Sequence, residues 1–309
     1  MPGALFASGV ACWRGARSHP IHLPGLAPGE HPNHEGFVVL TAIATALWGL
    51  NRNRSLIMQM VKREVLGRYR GSVMGLAWSF FNPLLLLVVY TFVFSVVFKA
   101  RWGTGDGQAT HAEFAVILFV GMMVHGLFAE CVNRAPTLIL NNVTYVKKVV
   151  FPLEILPVVA LGSALFHLCV SFIVLLLAEY AIMGRVPWTI VYVPVVFLPL
   201  MLATIGVAWF LAALGVYVRD IAQATGLFTT ILAFVSPIFY PISALPERFQ
   251  VWMKLNPLTY VIEEARNVVV FGRHVNWPEW GLYCAGGLVI ALLGLLWFQK
   301  TRKGFADVL

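Results

Sequence analysis

The residues that could do chemistry in this chain are few and widely spaced. Only three aspartates occur, Asp106, Asp220 and Asp307, so no local motif can build the paired-Asp site of a membrane glycosyltransferase. The chain also lacks an H-E-x-x-H zinc helix, a G-x-S-x-G nucleophile elbow and a G-x-x-x-x-G-K-[ST] phosphate loop. The sequence therefore predicts no catalytic residue, no metal site and no cofactor on this chain. If ATP drives the protein, another subunit must bind it.

Ionisable side chains inside the apolar blocks are the next candidates. His125 and Glu130 lie in one block and His167 in the next. A charge is costly in hydrocarbon, so we expect these side chains to face the bundle interior or water. Glu130 and Arg134 are four residues apart and are expected to form an ion pair. For His167 the sequence favours a hydrogen-bonded core residue over a substrate contact.

Composition assigns the chain to the membrane. Hydrophobic residues make up 59% of the 309 residues and charged residues 12%, and the mean hydropathy is +0.80. The apolar residues fall in blocks of about 20, the length needed to cross a hydrocarbon core. The net charge of +8 comes from Lys and Arg at the ends of these blocks, where positive charge sets orientation. We therefore predict an all-α membrane protein that does not bind nucleic acid.

The order of the blocks predicts the topology. Residues 1–51 are expected to be a poorly defined extension, and residues 52–71 an amphipathic interface helix on which Glu64 and Arg68 are spaced to pair. Residues 72–309 form the transmembrane domain. Six spans are predicted, at about 72–98, 114–133, 153–183, 189–217, 221–241 and 280–298. An even number of spans and the basic ends place both termini in the cytoplasm.

Prolines interrupt this pattern at three places. Asn82-Pro83 should bend the first span. Residues 242–272 are apolar but broken by prolines, which predicts two re-entrant helices dipping in from the outer face between spans five and six. Between spans two and three, a short helix from Pro136 to about Val150 is expected to contact a partner on the cytoplasmic side.

Aromatic residues crowd the first span. They fit either membrane-interface belts or stacking surfaces for sugar rings. Tyr90 falls near the middle of the membrane, where its hydroxyl needs a partner, so a pore-facing position is one hypothesis. The candidate channel-lining residues are Trp78, Phe81, Tyr90 and Phe94.

Five separated motifs closely resemble one family. The motifs are VKREVLGRYRGSVMGLAWSFFNPLLLLVVYTFVFSVVF, NNVTYVKKVVFPLEILP, LGVYVRDI, SPIFYPISALP and NPLTYVIEEAR. In this order they resemble the permease subunits of type-2 ABC exporters for lipid-linked polysaccharides, which include the O-antigen, capsule and teichoic-acid exporters. The resemblance covers residues 52 to 309, and the first 50 residues depart from it.

The resemblance implies a mechanism and roles for particular residues. Two permease copies would form a homodimer in the bacterial inner membrane, and two cytoplasmic ATPase subunits would bind ATP and Mg and drive an undecaprenyl-diphosphate-linked glycan outward. The implied entrance for the lipid diphosphate is Arg63, Arg68 and Arg70. The implied coupling helix on the ATPase contains Asn141, Asn142, Tyr145, Lys147 and Lys148. The implied periplasmic gate contains Asn256, Pro257, Glu263 and Arg266.

Two other functions stay open at this point. A drug or small-lipid exporter of the same superfamily would share the motifs, and only the aromatic first span and the motif run favour a glycan. A proton-coupled secondary carrier would need a chain of membrane carboxylates, and the sequence offers little sign of one.

Overall fold

Helices form the described part of the chain. The computed structural model describes residues 49–97, 111–147 and 151–309, so most of the predicted extension 1–51 lies outside the described residues. The main helices, numbered α1 to α11 in chain order, are Arg54–Arg68, Trp78–Tyr90, His111–Arg134, Val143–Lys147, Ile155–Met183, Val193–Tyr217, Ile221–Val235, Glu247–Lys254, Pro257–Val269, Trp277–Thr301 and Phe305–Val308. Shorter 3₁₀ turns are Gly75–Ala77, Ala135–Thr137, Leu140–Asn142, Trp188–Tyr192, Ile242–Ala244 and Arg302–Gly304. Within the described ranges there is no strand, which agrees with the predicted all-α class.

Five helical segments are long and apolar enough to cross a membrane. They are Gly75–Phe94, Glu113–Thr137, Ile155–Met183, Trp188–Tyr217 and Trp277–Val308. Each matches one of the predicted spans, so the chain is a multi-pass membrane protein. The predicted span 221–241 contains α7, which has only 15 residues and is shorter than the roughly 20 needed to cross hydrocarbon. A sixth span therefore stays a prediction.

The predicted proline interruptions have different outcomes. Helix α2 continues through Pro83, and the π-helical segment Thr91–Val97 extends it. The bend expected at Asn82-Pro83 stays a prediction. The expected helix from Pro136 to about Val150 is divided into the turns Ala135–Thr137 and Leu140–Asn142 followed by α4. In contrast, residues 242–272 do contain two short helices, α8 and α9. Their depth in the membrane stays a prediction.

Helix α6 is the centre of the fold and contacts α3, α5, α7, α9 and α10. It meets α10 by direct approach of the two backbones. A Cβ on Gly287 would lie 2.6 Å from the Pro199 carbonyl oxygen, and a Cβ on Gly294 would overlap the carbonyl oxygen of Gly206. Small residues allow such close packing, which replaces the missing hydrophobic driving force between helices in lipid.

Helix α1 lies across α5 rather than along the lipid surface alone. Met60 and Val65 on α1 are buried, and a Cβ on Gly162 of α5 would lie only 2.6 Å from the Val61 Cγ2 atom. The apolar face of α1 therefore contacts protein.

The close approach of α6 and α10 gives a test with a matched control on the same helix. We expect Gly294→Ala to lower the free energy of unfolding by about 1–3 kcal/mol, because the new methyl group must push the helices apart. Gly286→Ala has no atom within 4 Å of the added Cβ and should be neutral or stabilising by up to about 1 kcal/mol. Thermal unfolding of the purified protein in detergent measures both. Equal midpoints for the two variants would contradict the backbone contact.

Candidate functional site

A polar cluster joins the end of α1 to α3 and α5. Glu130 on α3 forms an ion pair with Arg68, whose Nη2 atom lies 2.7 Å from a Glu130 carboxylate oxygen. The Nδ1 atom of His167 on α5 lies 3.0 Å from both Glu130 carboxylate oxygens. Tyr69 Oη lies 3.1 Å from the other ring nitrogen, Nε2. The cluster therefore brings together residues that lie about a hundred positions apart in the sequence.

Two partners meet at His167 Nδ1, because the Arg68 Nη1 atom also lies 3.2 Å from it. With the proton on Nδ1, the ring donates to the Glu130 carboxylate and accepts at Nε2 from the Tyr69 hydroxyl. The Arg68 contact at Nδ1 is then not a hydrogen bond, because both groups are donors. Burial raises the pKa of Tyr69 above its ordinary value, so this hydroxyl keeps its proton and donates. The expectation that His167 is hydrogen-bonded is therefore confirmed.

A second ion pair connects α1 and α3 one turn away from the first. Arg134 of α3 bonds Glu64 of α1 and also lies 3.7 Å from Glu130, which confirms the predicted Glu130–Arg134 pair. The expected pair between Glu64 and Arg68 within α1 is wrong. Each of these residues instead pairs with α3, because the partly buried end of α3 offers partners of opposite charge.

The three arginines expected to meet a lipid diphosphate have different surroundings. Arg68 is held by Glu130, and Arg63 donates from Nη2 to the Tyr145 hydroxyl at 3.1 Å. Arg70 is exposed. The structure therefore places the three guanidinium groups in separate environments, and two of them already have a bond within the chain.

The predicted coupling segment is attached at both ends. Tyr145 receives the bond from Arg63 of α1 and stacks on Phe151, with ring centroids 4.6 Å apart. Lys147 bonds the carbonyl of the last residue, Leu309. Asn142 donates to the Leu138 carbonyl at 2.8 Å, which stabilises the preceding turn. Asn141 is exposed, and Lys148 lies outside the described residues.

The four aromatic candidates for channel lining separate into two pairs. Trp78 and Phe81 are exposed large side chains. Tyr90 and Phe94 contact each other with centroids 6.4 Å apart, and Phe94 stacks on Phe239 at 5.9 Å. The Tyr90–Phe94 pair therefore connects the end of α2 to the segment after α7. A role in lining a channel stays a prediction for all four.

Asn256 and Pro257 begin helix α9. The Asn256 side chain accepts a bond from the Leu258 backbone N–H at 3.0 Å, and Pro257 occupies the first turn. Asn is a favoured cap, and Pro suits the first helical position because the N–H it lacks would be unpaired there. The same Asn256 donates to the Ser236 hydroxyl at 3.0 Å. The start of α9 is therefore attached to the residue that follows α7.

Arg266 attaches the other end of α9. Its side chain is only 1% exposed, and it donates to three backbone carbonyls. The acceptors are Ile117 at 3.1 Å, Pro237 at 2.7 Å and Ile238 at 2.8 Å. Glu263, one turn earlier, accepts a further bond at 3.0 Å. The guanidinium thus connects α9, α3 and the segment after α7.

The sequence did not indicate a role for two acidic residues near these elements, Glu264 and Glu179. Glu264, buried on α9, accepts bonds from the Asn276 N–H at 2.7 Å and from the Asn267 amide at 2.9 Å, and so holds the start of α10. Glu179 on α5 is fully buried, and neither of its oxygens has a hydrogen-bond partner among the described residues. An isolated carboxylate near the end of a long apolar helix was the only available signal for Glu179.

The fold and the site define a helical, multi-pass membrane protein with a charged helix attached at one edge of the bundle. The profile of the family described as "ABC-2 type transporter" matches residues 55–270. The chain belongs to this family.

Three individual proteins to which the chain is similar allow a comparison narrower than the family. The chain is similar to the O-antigen export system permease protein RfbA of Myxococcus xanthus, at 26% identity over 84% of this chain and 96% of the relative. It is also similar to the protein of the same name from Klebsiella pneumoniae, at 25% identity over 82% and 95%. The polysialic acid transport protein KpsM of Escherichia coli is 19% identical over 82% of this chain and 96% of the relative.

The buried bonds of Arg266 predict a large loss of stability. We expect Arg266→Gln to lower the free energy of unfolding by about 3–5 kcal/mol, because it leaves buried carbonyls without donors and shortens the side chain. Arg273→Gln removes the same charge from an exposed site and should change stability by less than about 0.5 kcal/mol. Thermal unfolding of the purified protein in detergent compares the two. A similar midpoint for both variants would show that Arg266 does not hold α9.

Proposed function

We propose that this chain is the transmembrane subunit of an ATP-driven exporter that moves undecaprenyl-diphosphate-linked polysaccharide, of the O-antigen kind, to the periplasmic side of the inner membrane. The observation that carries the proposal is the similarity over more than four-fifths of the chain to permeases named for O-antigen export. The five motifs that resemble this group fall within residues 55–270, which match the ABC-2 family. The similarity to a polysialic acid transport protein favours a glycan over a drug.

The physical demands of such a substrate support the same conclusion. A long polar glycan cannot cross hydrocarbon unaided and needs a hydrated path. We infer that two copies of the chain surround this path. Helix α2 and the π-helical segment after it expose a row of large apolar side chains that either lipid or a second copy could cover, namely Leu85, Leu86, Val88, Val89 and Phe92.

Energy for transport would come from a separate ATPase. The sequence has no phosphate loop, so two copies of a cytoplasmic ATPase would bind ATP and Mg. The segment around α4 is the proposed docking element. Its bonds to α1 and to the carboxyl-terminal residue would let a push on α4 reach the rest of the bundle.

Deleting the gene tests the proposal directly. We expect one surface polysaccharide to disappear and its lipid-linked precursor to accumulate on the cytoplasmic side, because synthesis continues while export stops. Extraction of lipid-linked glycans and staining of surface polysaccharide measure both effects. The control is the same strain carrying the intact gene on a plasmid. An unchanged surface glycan in the deletion strain, with no precursor accumulating, would refute the function.

The Arg63–Tyr145 bond provides a test of coupling. We expect Tyr145→Phe to lower export about two- to fivefold while ATP hydrolysis by the complex continues, because Phe keeps the ring stacking on Phe151 but cannot bond Arg63. The bond lies at an exposed position, so the effect should be modest. Export per ATP hydrolysed is the measured quantity.

Tyr180→Phe is the matched control for this experiment. Tyr180 is 66% exposed and lies near the opposite end of α5 from α4, so removing its hydroxyl should leave the ratio unchanged. If both variants export normally at the wild-type cost in ATP, the Arg63–Tyr145 bond takes no part in coupling.

A further inference from the structure

A narrow groove runs between α2, α3 and α5. It consists of two adjoining cavities of about 230 Å³ and 200 Å³. The residues that line both cavities are Pro83, Leu86, Glu130, His167 and Ser171. The polar cluster around Glu130 therefore forms part of the groove wall.

The two ends of the groove differ in polarity. Arg68, Tyr69 and Asn82 line one end, and Phe119, Met122 and Met123 line the other. His125 also lines the second end, where its Nε2 atom lies 3.0 Å from the Thr229 carbonyl oxygen. Along α2, the groove extends from Ser79 to Tyr90, about 16 Å at the rise of an α-helix. This length is about half of the hydrocarbon thickness of a bilayer. The shape suits a molecule with one charged end and one hydrocarbon chain.

Arg68 is the cation at the polar end. It forms an ion pair with Glu130, and its Nη1 atom lies 3.2 Å from His167 Nδ1. Glu130 has further partners: it accepts a bond from His167 at 3.0 Å and lies 3.7 Å from Arg134. If Arg68 turned away, the Glu130 carboxylate would still have a hydrogen-bond donor and a nearby positive charge. The 38% exposure of the Arg68 side chain leaves it accessible to another anion.

We propose that Glu130 pairs with Arg68 until a prenyl phosphate binds to Arg68 in its place. The phosphate displaces Glu130 from Arg68, the carboxylate stays with His167 and Arg134, and the prenyl chain lies along α2 in the groove. A guanidinium binds phosphate with two parallel bonds, which compensates for the lost carboxylate. The groove is a single narrow cleft between α2, α3 and α5, so it matches one hydrocarbon chain rather than the two chains of a phospholipid. This inference rests on the proposed function, because it identifies where the lipid carrier of the glycan binds.

Photolabelling of the full-length permease in phosphatidylcholine vesicles tests the exchange. The probe is a polyprenyl phosphate with a diazirine on its chain, and peptides from α2, α3 and α5 are analysed by mass spectrometry. We expect Glu130→Gln to raise labelling about three- to tenfold at limiting probe, because Gln still accepts from His167 but no longer competes for Arg68. Arg68→Gln should lower labelling about tenfold, and Arg68→Lys should restore part of it.

Two variants control for charge and folding. Glu247→Gln changes the net charge as Glu130→Gln does, at an exposed position on α8 that does not line the groove. Lys62→Gln removes one positive charge from an exposed position on α1 that does not line the groove. Both should label as the wild type does. Unlabelled polyprenyl phosphate should compete with the probe, whereas the uncharged polyprenol should not.

Three results would overturn the inference. The first is equal labelling of the wild type and Arg68→Gln, and the second is no gain in Glu130→Gln. The third is competition by phosphatidylglycerol as strong as by polyprenyl phosphate, which would identify a groove for ordinary anionic lipid. The assay contains no ATPase and measures no export, so its outcome is independent of the gene deletion. Correct labelling with normal surface glycan in the deletion strain would refute the exporter alone.

Discussion

The buried guanidinium of Arg266 is the interaction on which the arrangement of α9 depends. Burying a charge is expensive unless its donors are satisfied, and Arg266 meets this condition with the carbonyls of Ile117, Pro237 and Ile238. Gly121 leaves the required room, since a Cβ there would lie 2.9 Å from the Arg266 Nη2 atom. Because α9 also packs on the central helix α6, these bonds fix α9 relative to the long helices α3 and α6.

Helix α1 is held by a different kind of force. Its ion pairs with α3 lie at partly exposed positions, where solvent screens the attraction and each pair adds little stability. Their value is directional, because Glu64 and Arg68 carry opposite charges and meet Arg134 and Glu130 in only one register. Packing of Val61 on Gly162 supplies the close contact. The charges therefore orient a helix whose apolar face alone would leave its position loosely specified.

Sequence patterns predicted the local features of this fold and missed the long-range ones. Long apolar runs identified five membrane-length helices, because this signal lies within neighbouring residues. Asn256-Pro257 is an equally local signal for the start of α9, but the resemblance named these residues only as part of a gate. The partners of Arg266 include a carbonyl 149 positions away, which no spacing rule could reveal. For Glu64 and Arg68, local spacing was misleading because the end of α3 provided stronger partners. The buried position of Glu179 likewise follows from packing between helices, which a single sequence does not encode in any local pattern.

The polar contacts form a connected path from α4 to α9. Tyr145 of α4 bonds Arg63 of α1, and Arg68 at the end of α1 bonds Glu130 of α3. Glu130 and Ile117 lie on the same helix, about 20 Å apart along its axis, and the Ile117 carbonyl accepts from Arg266 of α9. Coupling between distant sites requires such contiguous contacts between rigid elements. Since each junction between helices is a bond to a charged side chain, a displacement of α4 must either move α1 and α3 together or break one of these bonds. The exposed Arg63–Tyr145 junction is the weakest and the buried Arg266 junction the strongest. We therefore expect the bond at α4 to break first and the bonds at α9 to break last.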